Sequence, residues 1–231
     1  MPQKTTAENL QVIYEDNHII VVNKRPGDIV QGDKTGDMPL SEIVKQYIKE
    51  KYNKPGNVFL GVVHRIDRPT SGLVMFARTS KALTRLNQML KDRKIDKTYH
   101  AIVKNPLPEK TGTLVHYLKK NSRTNKSTAY EKPVEGAKRA VLHYKHLASS
   151  NKYHLLEINL ETGRPHQIRV QLAKTGSPIK GDLKYGFPRS NPNGGISLHA
   201  RELKFTHPVK KEPVHLTAPY PEGDIWQHFQ V

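Results

Sequence analysis

The chain has 231 residues, with 38 Lys and Arg against 21 Asp and Glu, a net charge of +17 at pH 7, and no cysteine. That composition excludes a disulfide framework and a thiolate metal centre. No apolar run reaches the roughly 20 residues of a membrane helix, and the opening residues lack the apolar core of a signal peptide. The chain is therefore expected to be soluble and cytoplasmic. Its charge is uneven: residues 1–60 are neutral, residues 61–130 carry +11 and residues 131–231 carry +6. Such asymmetry points to a polyanionic partner.

In chain order, residues 10–14 and 18–23 read as strands joined by a tight turn at 15–17. Residues 1–9 are expected to be a flexible N-terminus. Residues 41–52 read as a helix with Ser41 as its N-cap and with Ile43, Tyr47 and Ile48 at helical spacing. Residues 58–63 form a buried strand candidate, and residues 72–77 form another. Between them lies His64-Arg65-Ile66-Asp67-Arg68-Pro69-Thr70-Ser71-Gly72. Residues 79–93 are the clearest helix, capped by Ser80, with Leu83, Leu86, Met89 and Leu90 as its apolar stripe. Lys81, Arg85, Lys91, Arg93 and Lys94 decorate the other faces, either to track phosphates or simply as a solvated surface.

Residues 97–104 alternate as a strand. Residues 119–128 read as a polar, basic, flexible loop whose Lys119, Lys120, Arg123 and Lys126 suit an RNA backbone. Strands follow at 140–148 and 153–160. A helix is expected over 165–173, with Pro165 in its first turn, and a late strand over 197–205. Few helices among many strands give an α+β class with a mostly antiparallel sheet. No internal repeat or long linker marks a boundary, so residues 1–231 read as one domain.

The 64–72 stretch sets one carboxylate, Asp67, between two guanidiniums, Arg65 and Arg68. An opposite charge within about 4–6 Å holds an acid in its ionised form, and an ionised Asp in a basic cleft can act as nucleophile or base. The alternative is a surface ion cluster with no chemistry. Residues alone lead to a basic α+β protein, RNA-binding, with an Asp-centred site.

The same stretch resembles the active-site signature of the RluA-type pseudouridine synthases. Four further stretches resemble that family in its own order: 97–103 (Lys-Thr-Tyr-His-Ala-Ile-Val), 162–170 (Thr-Gly-Arg-Pro-His-Gln-Ile-Arg-Val), 181–186 (Gly-Asp-Leu-Lys-Tyr-Gly), and Leu198-His199-Ala200 followed by Leu203, Phe205, His207 and Pro208. The resemblance covers residues 10–220. It implies a pseudouridine synthase catalytic fold with a central cleft, acting on structured RNA (23S rRNA or tRNA) as an isomerase with no cofactor and no metal. Two departures stand out. The family's Lys-Pro-x-Gly is here Lys24-Arg25-Pro26-Gly27, and a position often His is Gln171. About nine residues precede the first strand, so the S4 RNA-binding domain of many relatives is expected to be absent. A monomer is the default expectation.

The resemblance implies that Asp67 is the essential aspartate and that Arg164 pairs with it, a planar guanidinium suiting a carboxylate bidentately. Tyr99 is placed in the base pocket, able to stack on uracil or relay the C5 proton. Arg65 resembles a wedge that fills the stack left by a flipped uridine, while Arg68 holds the loop or a phosphate. Arg169 joins the expected RNA contacts. His64, His166 and His199 read as hydrogen-bonded scaffold. Thr70 and Ser71 are expected to tie down the Asp67 loop, and Gly72 and Gly163 to allow tight turns. Two other classes compete with this reading. A non-catalytic RNA-binding or assembly factor has no use for the trio Asp67, Tyr99 and Arg164. A nucleoside glycosidase would need a second paired carboxylate, and no motif supplies one.

Overall fold

The computed structural model describes residues 4–222 and 225–229. Its chain condenses into two units, residues Met1–Lys97 with Ala200–Pro221 and residues Thr98–His199 with Glu222–Val231. Two of the three boundaries, 97/98 and 199/200, fall inside strands, which is why no linker marks them in the sequence. The class is α+β, as the composition of elements foretold.

The first unit is built on β1 (Val12–Glu15), β2 (Ile19–Lys24), β4 (Ser71–Ala77) and β10 (Leu198–Thr206), neighbours in that order, with β3 (Gly61–Val62) on β4 and β11 (Pro213–Thr217) on β10. β2 and β4 run antiparallel from Ile19↔Ala77 to Lys24↔Gly72, and both are buried along their whole length. Period-2 alternation sends their side chains to opposite faces. Ile20, Val22, Val74 and Phe76 pack on Leu40, Val44 and Ile48 of α1 (Leu40–Lys51). Ile19, Val21, Leu73 and Met75 pack with Ala82 and Leu86 of α2 (Ser80–Lys91) and with Leu203 and Phe205 of β10. Each such buried aliphatic or aromatic side chain contributes about 1.5–3 kcal/mol, so β4, into which the 64–72 loop leads, and its neighbour β2 are firmly held.

The second unit is a meander-like sheet in the order β5 (Ile95–Val103), β9 (His154–Leu160), β8 (Lys138–Ser149), β6 (Thr111–Asn121), β7 (Lys126–Tyr130). Its described ladders are antiparallel. α3 (Gln167–Lys174) lays Val170 on Leu118, Ala129 and Ala140 of this sheet, next to Tyr185.

Several local expectations are corrected. The N-cap of α1 is Pro39, with Ser41 buried inside the first turn. The cap of α2 is Thr79, whose Oγ1 accepts the Ala82 N–H at 3.1 Å. α3 begins at Gln167 rather than Pro165, because His166 takes a left-handed conformation, φ 56°. The buried strand at 58–63 shortens to Gly61–Val62. Residues 119–128 are not a flexible loop but the closing end of the β6–β7 hairpin, paired from Tyr117↔Tyr130 to Asn121↔Lys126. Of the expected flexible N-terminus, residues 1–3 lie outside the described residues. Residues 4–9 are tied down: Thr5 Oγ1 donates to Asp28 Oδ2 at 2.6 Å, and Arg25 Nη1 donates to Asn9 Oδ1 at 2.9 Å. Among the described residues, no helix is long and apolar enough to cross a membrane.

Candidate active site

Asp67 sits half-buried in the loop between β3 and β4. The loop is held by its main chain. The Thr70 N–H donates to the Asp67 carbonyl at 3.0 Å, and the Gly27 N–H donates to the Arg68 carbonyl at 2.9 Å. Behind it lies Lys24, only 1 % exposed. Its Nζ donates to three main-chain carbonyls: Asp28 at 2.8 Å, Arg25 at 2.9 Å and Arg68 at 3.0 Å. All three ammonium protons are thereby used, and one of them fixes the residue that follows Asp67. Burial pulls the Lys24 pKa down to about 7, against the raising effect of the nearby Asp28 and Asp67 charges.

The two guanidiniums expected to flank Asp67 are both exposed. Arg68 is turned to the exposed Asp37, Nη2 to Oδ2 at 2.7 Å. A cation close enough to feel the Asp67 charge is Lys24. Sequence reasoning missed it, although Lys24 heads the Lys-Arg-Pro-Gly stretch. The departure from Lys-Pro-x-Gly also acquires a role, since Arg25 is the residue that anchors Asn9 through its side chain and carbonyl. Gly27 has φ 96°, a conformation open to glycine at no steric cost, and this brings its N–H to the loop.

His64 is scaffold, as expected. Its Nε2 accepts the Met75 N–H at 3.2 Å, and burial, helped by Lys97, depresses its pKa to about 3, so the ring is neutral. Ser71 and Thr70 are buried at the start of β4. Gly72 serves a different purpose from a turn. A Cβ there would lie inside the backbone of Ala200, so glycine is what lets β4 approach β10. Gly163 shows neither a positive φ nor a crowded Cβ, so its expected role as a turn glycine is not met.

A pH signature follows from Lys24. Free lysine titrates near 10.4, so between about pH 7 and 10 the unfolded chain holds a proton that the folded chain has lost. Stability then climbs with pH by up to about 1.4 kcal/mol per unit and is flat below 7, where both states are protonated. Lys24→Met should lack that slope. Urea unfolding of both proteins at pH 7 and pH 9 should shift their difference by about 2 kcal/mol in favour of the unsubstituted chain. Parallel pH profiles would show that Lys24 keeps its proton.

In the second unit, Arg164 stands in the turn between β9 and α3. Its N–H donates to Gln167 Oε1 at 2.9 Å and its Nε to the Arg139 carbonyl at 3.1 Å, so one edge of the guanidinium is anchored. Gln167 itself is buried and bonds Thr162 and the Val141 carbonyl. His166 holds φ 56°, which costs a non-glycine residue about 1–2 kcal/mol, and its Nδ1 lies 2.7 Å from Tyr185 Oη. Tyr99 is buried on β5 opposite Ile158. His199 is fully buried and lies against Trp226 with ring centroids 5.9 Å apart.

Lys119, Lys120, Arg123 and Lys126 are exposed on the hairpin, and Asn121 Oδ1 shapes its tip by accepting the N–H groups of Arg123 and Thr124. Lys126 also lies over the Tyr185 ring, 5.5 Å from its centroid. Arg169 is corrected. It is 4 % exposed and clamped by Asp182, Nε to Oδ2 at 2.7 Å and Nη2 to Oδ1 at 2.8 Å, so its charge is spent inside the protein rather than offered to RNA. Gln171 is likewise buried, donating to the Leu114 carbonyl and His116 Nδ1. Its departure from the family pattern therefore concerns packing. The structure thus gathers Asp67, Arg68 and Lys24 in one unit, and Arg164, His166 and the basic hairpin in the other.

Comparisons with known proteins place the chain in a family. Residues 18–174 match the family model described as RNA pseudouridylate synthase. Ribosomal large subunit pseudouridine synthase D of Xanthomonas campestris is 35% identical over 92% of this chain, and the chain spans 66% of that relative's length. tRNA pseudouridine synthase C of Vibrio parahaemolyticus is 32% identical, covering 94% of this chain and 92% of its own. Among solved structures, human RNA Pseudouridylate Synthase Domain Containing 4 shares the fold with a TM-score of 0.78 at 22% identity, over 94% of this chain and 91% of that one. With the family model matching most of its length, this chain belongs to the RNA pseudouridylate synthase family.

Proposed function

We propose that this chain isomerises specific uridines to pseudouridine in structured RNA, 23S rRNA or tRNA, with Asp67 as the essential carboxylate and Tyr99 and Arg164 as its partners. The observation that carries the reading is the Asp67 loop. A half-buried carboxylate is presented on main chain that a buried ammonium and two N–H groups hold in place. A module that only binds RNA has no need to bury a lysine for one acidic loop, since desolvating a charge is costly. The reaction breaks N1–C1′, turns the base and joins C5 to C1′. C5 gives up a proton and N1 gains one, so atoms balance without a co-substrate. An ionised acid beside the sugar can stabilise or trap the oxocarbenium-like carbon, as carboxylates do in glycoside hydrolysis. In this reading Arg164 orients that acid and Tyr99 stacks on the uracil. A chain acting on rRNA or tRNA works where those RNAs are, in the cytoplasm.

Loss of tritium from C5-labelled uridine in total tRNA and in 23S rRNA tests the reading and names the substrate class. Release from neither, despite salt-sensitive binding, would favour the non-catalytic RNA-binding alternative. Arg65 is exposed beside Asp67, consistent with a wedge. Arg65→Ala should slow turnover on a duplex stem about tenfold or more, and on an unstructured strand far less, because flipping a stacked base costs a few kcal/mol. Equal losses on both would remove the wedge role.

A further inference from the structure

Ser127, Tyr185 and His166 lie outside the residues assigned to chemistry, yet they join the two parts of the second unit that such chemistry needs. Ser127 is the second residue of β7, next to the closing turn of the basic hairpin, and is 2 % exposed. Its Oγ donates to the Pro165 carbonyl at 2.8 Å, and its N–H donates to Tyr185 Oη at 2.9 Å. Having accepted that bond, the Tyr185 hydroxyl has its own proton to donate to His166 Nδ1, 2.7 Å away. Pro165 and His166 are the two residues that follow Arg164. Near the hairpin tip, Lys184 Nζ donates to the Asn125 carbonyl at 3.1 Å. The hairpin that carries Lys119, Lys120 and Arg123 is thus bonded to the Arg164 turn at consecutive residues, and His166 there occupies a left-handed conformation that its surroundings must enforce.

We propose that Tyr185 and Ser127 are positioning residues that couple RNA capture by the β6–β7 hairpin to the setting of the Arg164 turn. The proposal rests on the RNA-directed reading given above. A ligand shifts a structural equilibrium only by its differential affinity for the two states. Phosphates gripped by the hairpin favour the hairpin position in which Ser127 and Tyr185 reach the turn, and the turn is then held with Arg164 in one orientation. Burial raises the Tyr185 pKa, which keeps the hydroxyl protonated and able to serve both neighbours.

The test is hydrogen exchange on the full chain, with and without total tRNA, and in a second arm with deproteinised 23S rRNA. In the unsubstituted protein, RNA should slow exchange about tenfold in residues 117–130 and also in residues 162–168. In Tyr185→Phe the hairpin should stay protected while protection of residues 162–168 falls below twofold, and Ser127→Ala should move in the same direction. Tyr185→Phe should lower kcat for tritium release about tenfold with KM for RNA within threefold. The proposal is overturned if residues 162–168 remain protected in both variants, if hairpin protection is lost with them, or if neither RNA protects the hairpin. Coupled protection in a protein that releases no tritium would leave the coupling standing and sink the synthase reading instead.

Discussion

Asp67→Asn is expected to reduce tritium release from C5-labelled uridine by at least about a thousandfold, while RNA affinity changes by less than about threefold. Asn keeps the shape of the side chain and removes its charge and nucleophilicity, so an effect confined to turnover identifies transition-state chemistry rather than binding. The structure explains why the substitution should leave the loop in place. Thr70 holds the Asp67 carbonyl, while Gly27 and Lys24 hold the Arg68 carbonyl. These are main-chain acceptors that Asn also provides. Lys24 does lose the nearby carboxylate charge that raises its pKa, so the Asn variant should be compared at pH 6, where the ammonium is retained. Residual release above about one per cent, or a loss of affinity in step with activity, would show that the carboxylate binds rather than reacts. Binding of both proteins should weaken steeply with salt, because in the proposed reading the exposed hairpin cations displace counterions from phosphate.

The fold was legible where hydrophobic periodicity is long or capping is local. α1 and α2 lie within one or two residues of the spans read from Ile43 and Ile48 and from Leu83 and Leu86. β2 was legible as an apolar run, although its burial on both faces required α1 and α2 to be placed. The β6–β7 hairpin was not legible, because Lys119, Lys120, Asn121 and Arg123 have low strand propensity and no apolar alternation. What makes Lys119, Lys120 and Asn121 strand is pairing with β7, from Lys119↔Thr128 to Asn121↔Lys126, and the burial of Ser127 and Ala129 on that strand, while Arg123 sits in the turn between them. Of the site, Asp67 was visible from its motif. The buried lysine behind its loop was not, because Lys24 arrives from a strand more than forty residues earlier. Arg169 was misread for the same reason. Its partner, Asp182, belongs to a separate motif whose acid had been given no role.

That misreading sets up the largest stability effect expected outside the Asp67 loop. Arg169 and Asp182 are both buried, at 5% and 1% side-chain exposure, and joined by two parallel hydrogen bonds. Breaking a buried pair by removing one partner costs about 3–5 kcal/mol, because it leaves an uncompensated charge in the interior. Asp182→Ala is therefore expected to lower Tm by about 10 °C, at roughly 2–4 °C per kcal/mol for a chain of this size. The comparison that isolates the cause is Asp37→Ala, which breaks the exposed pair with Arg68 at the same N–O distance of 2.7 Å. There the loss should stay below about 1 kcal/mol, since water screens and solvates both partners. Arg169→Met combined with Asp182→Leu should recover most of the stability, as apolar replacement of a buried pair often does. It should not recover function. The Arg169 guanidinium stacks 5.1 Å from the Tyr185 ring and Asp182 immediately precedes the turn that carries Tyr185, so the apolar pair would keep the fold while loosening the tyrosine. Thermal melts and tritium release measured on the three variants separate these outcomes. A Tm loss for Asp182→Ala no larger than that for Asp37→Ala would mean that water reaches Arg169 and that the pair does not anchor Tyr185.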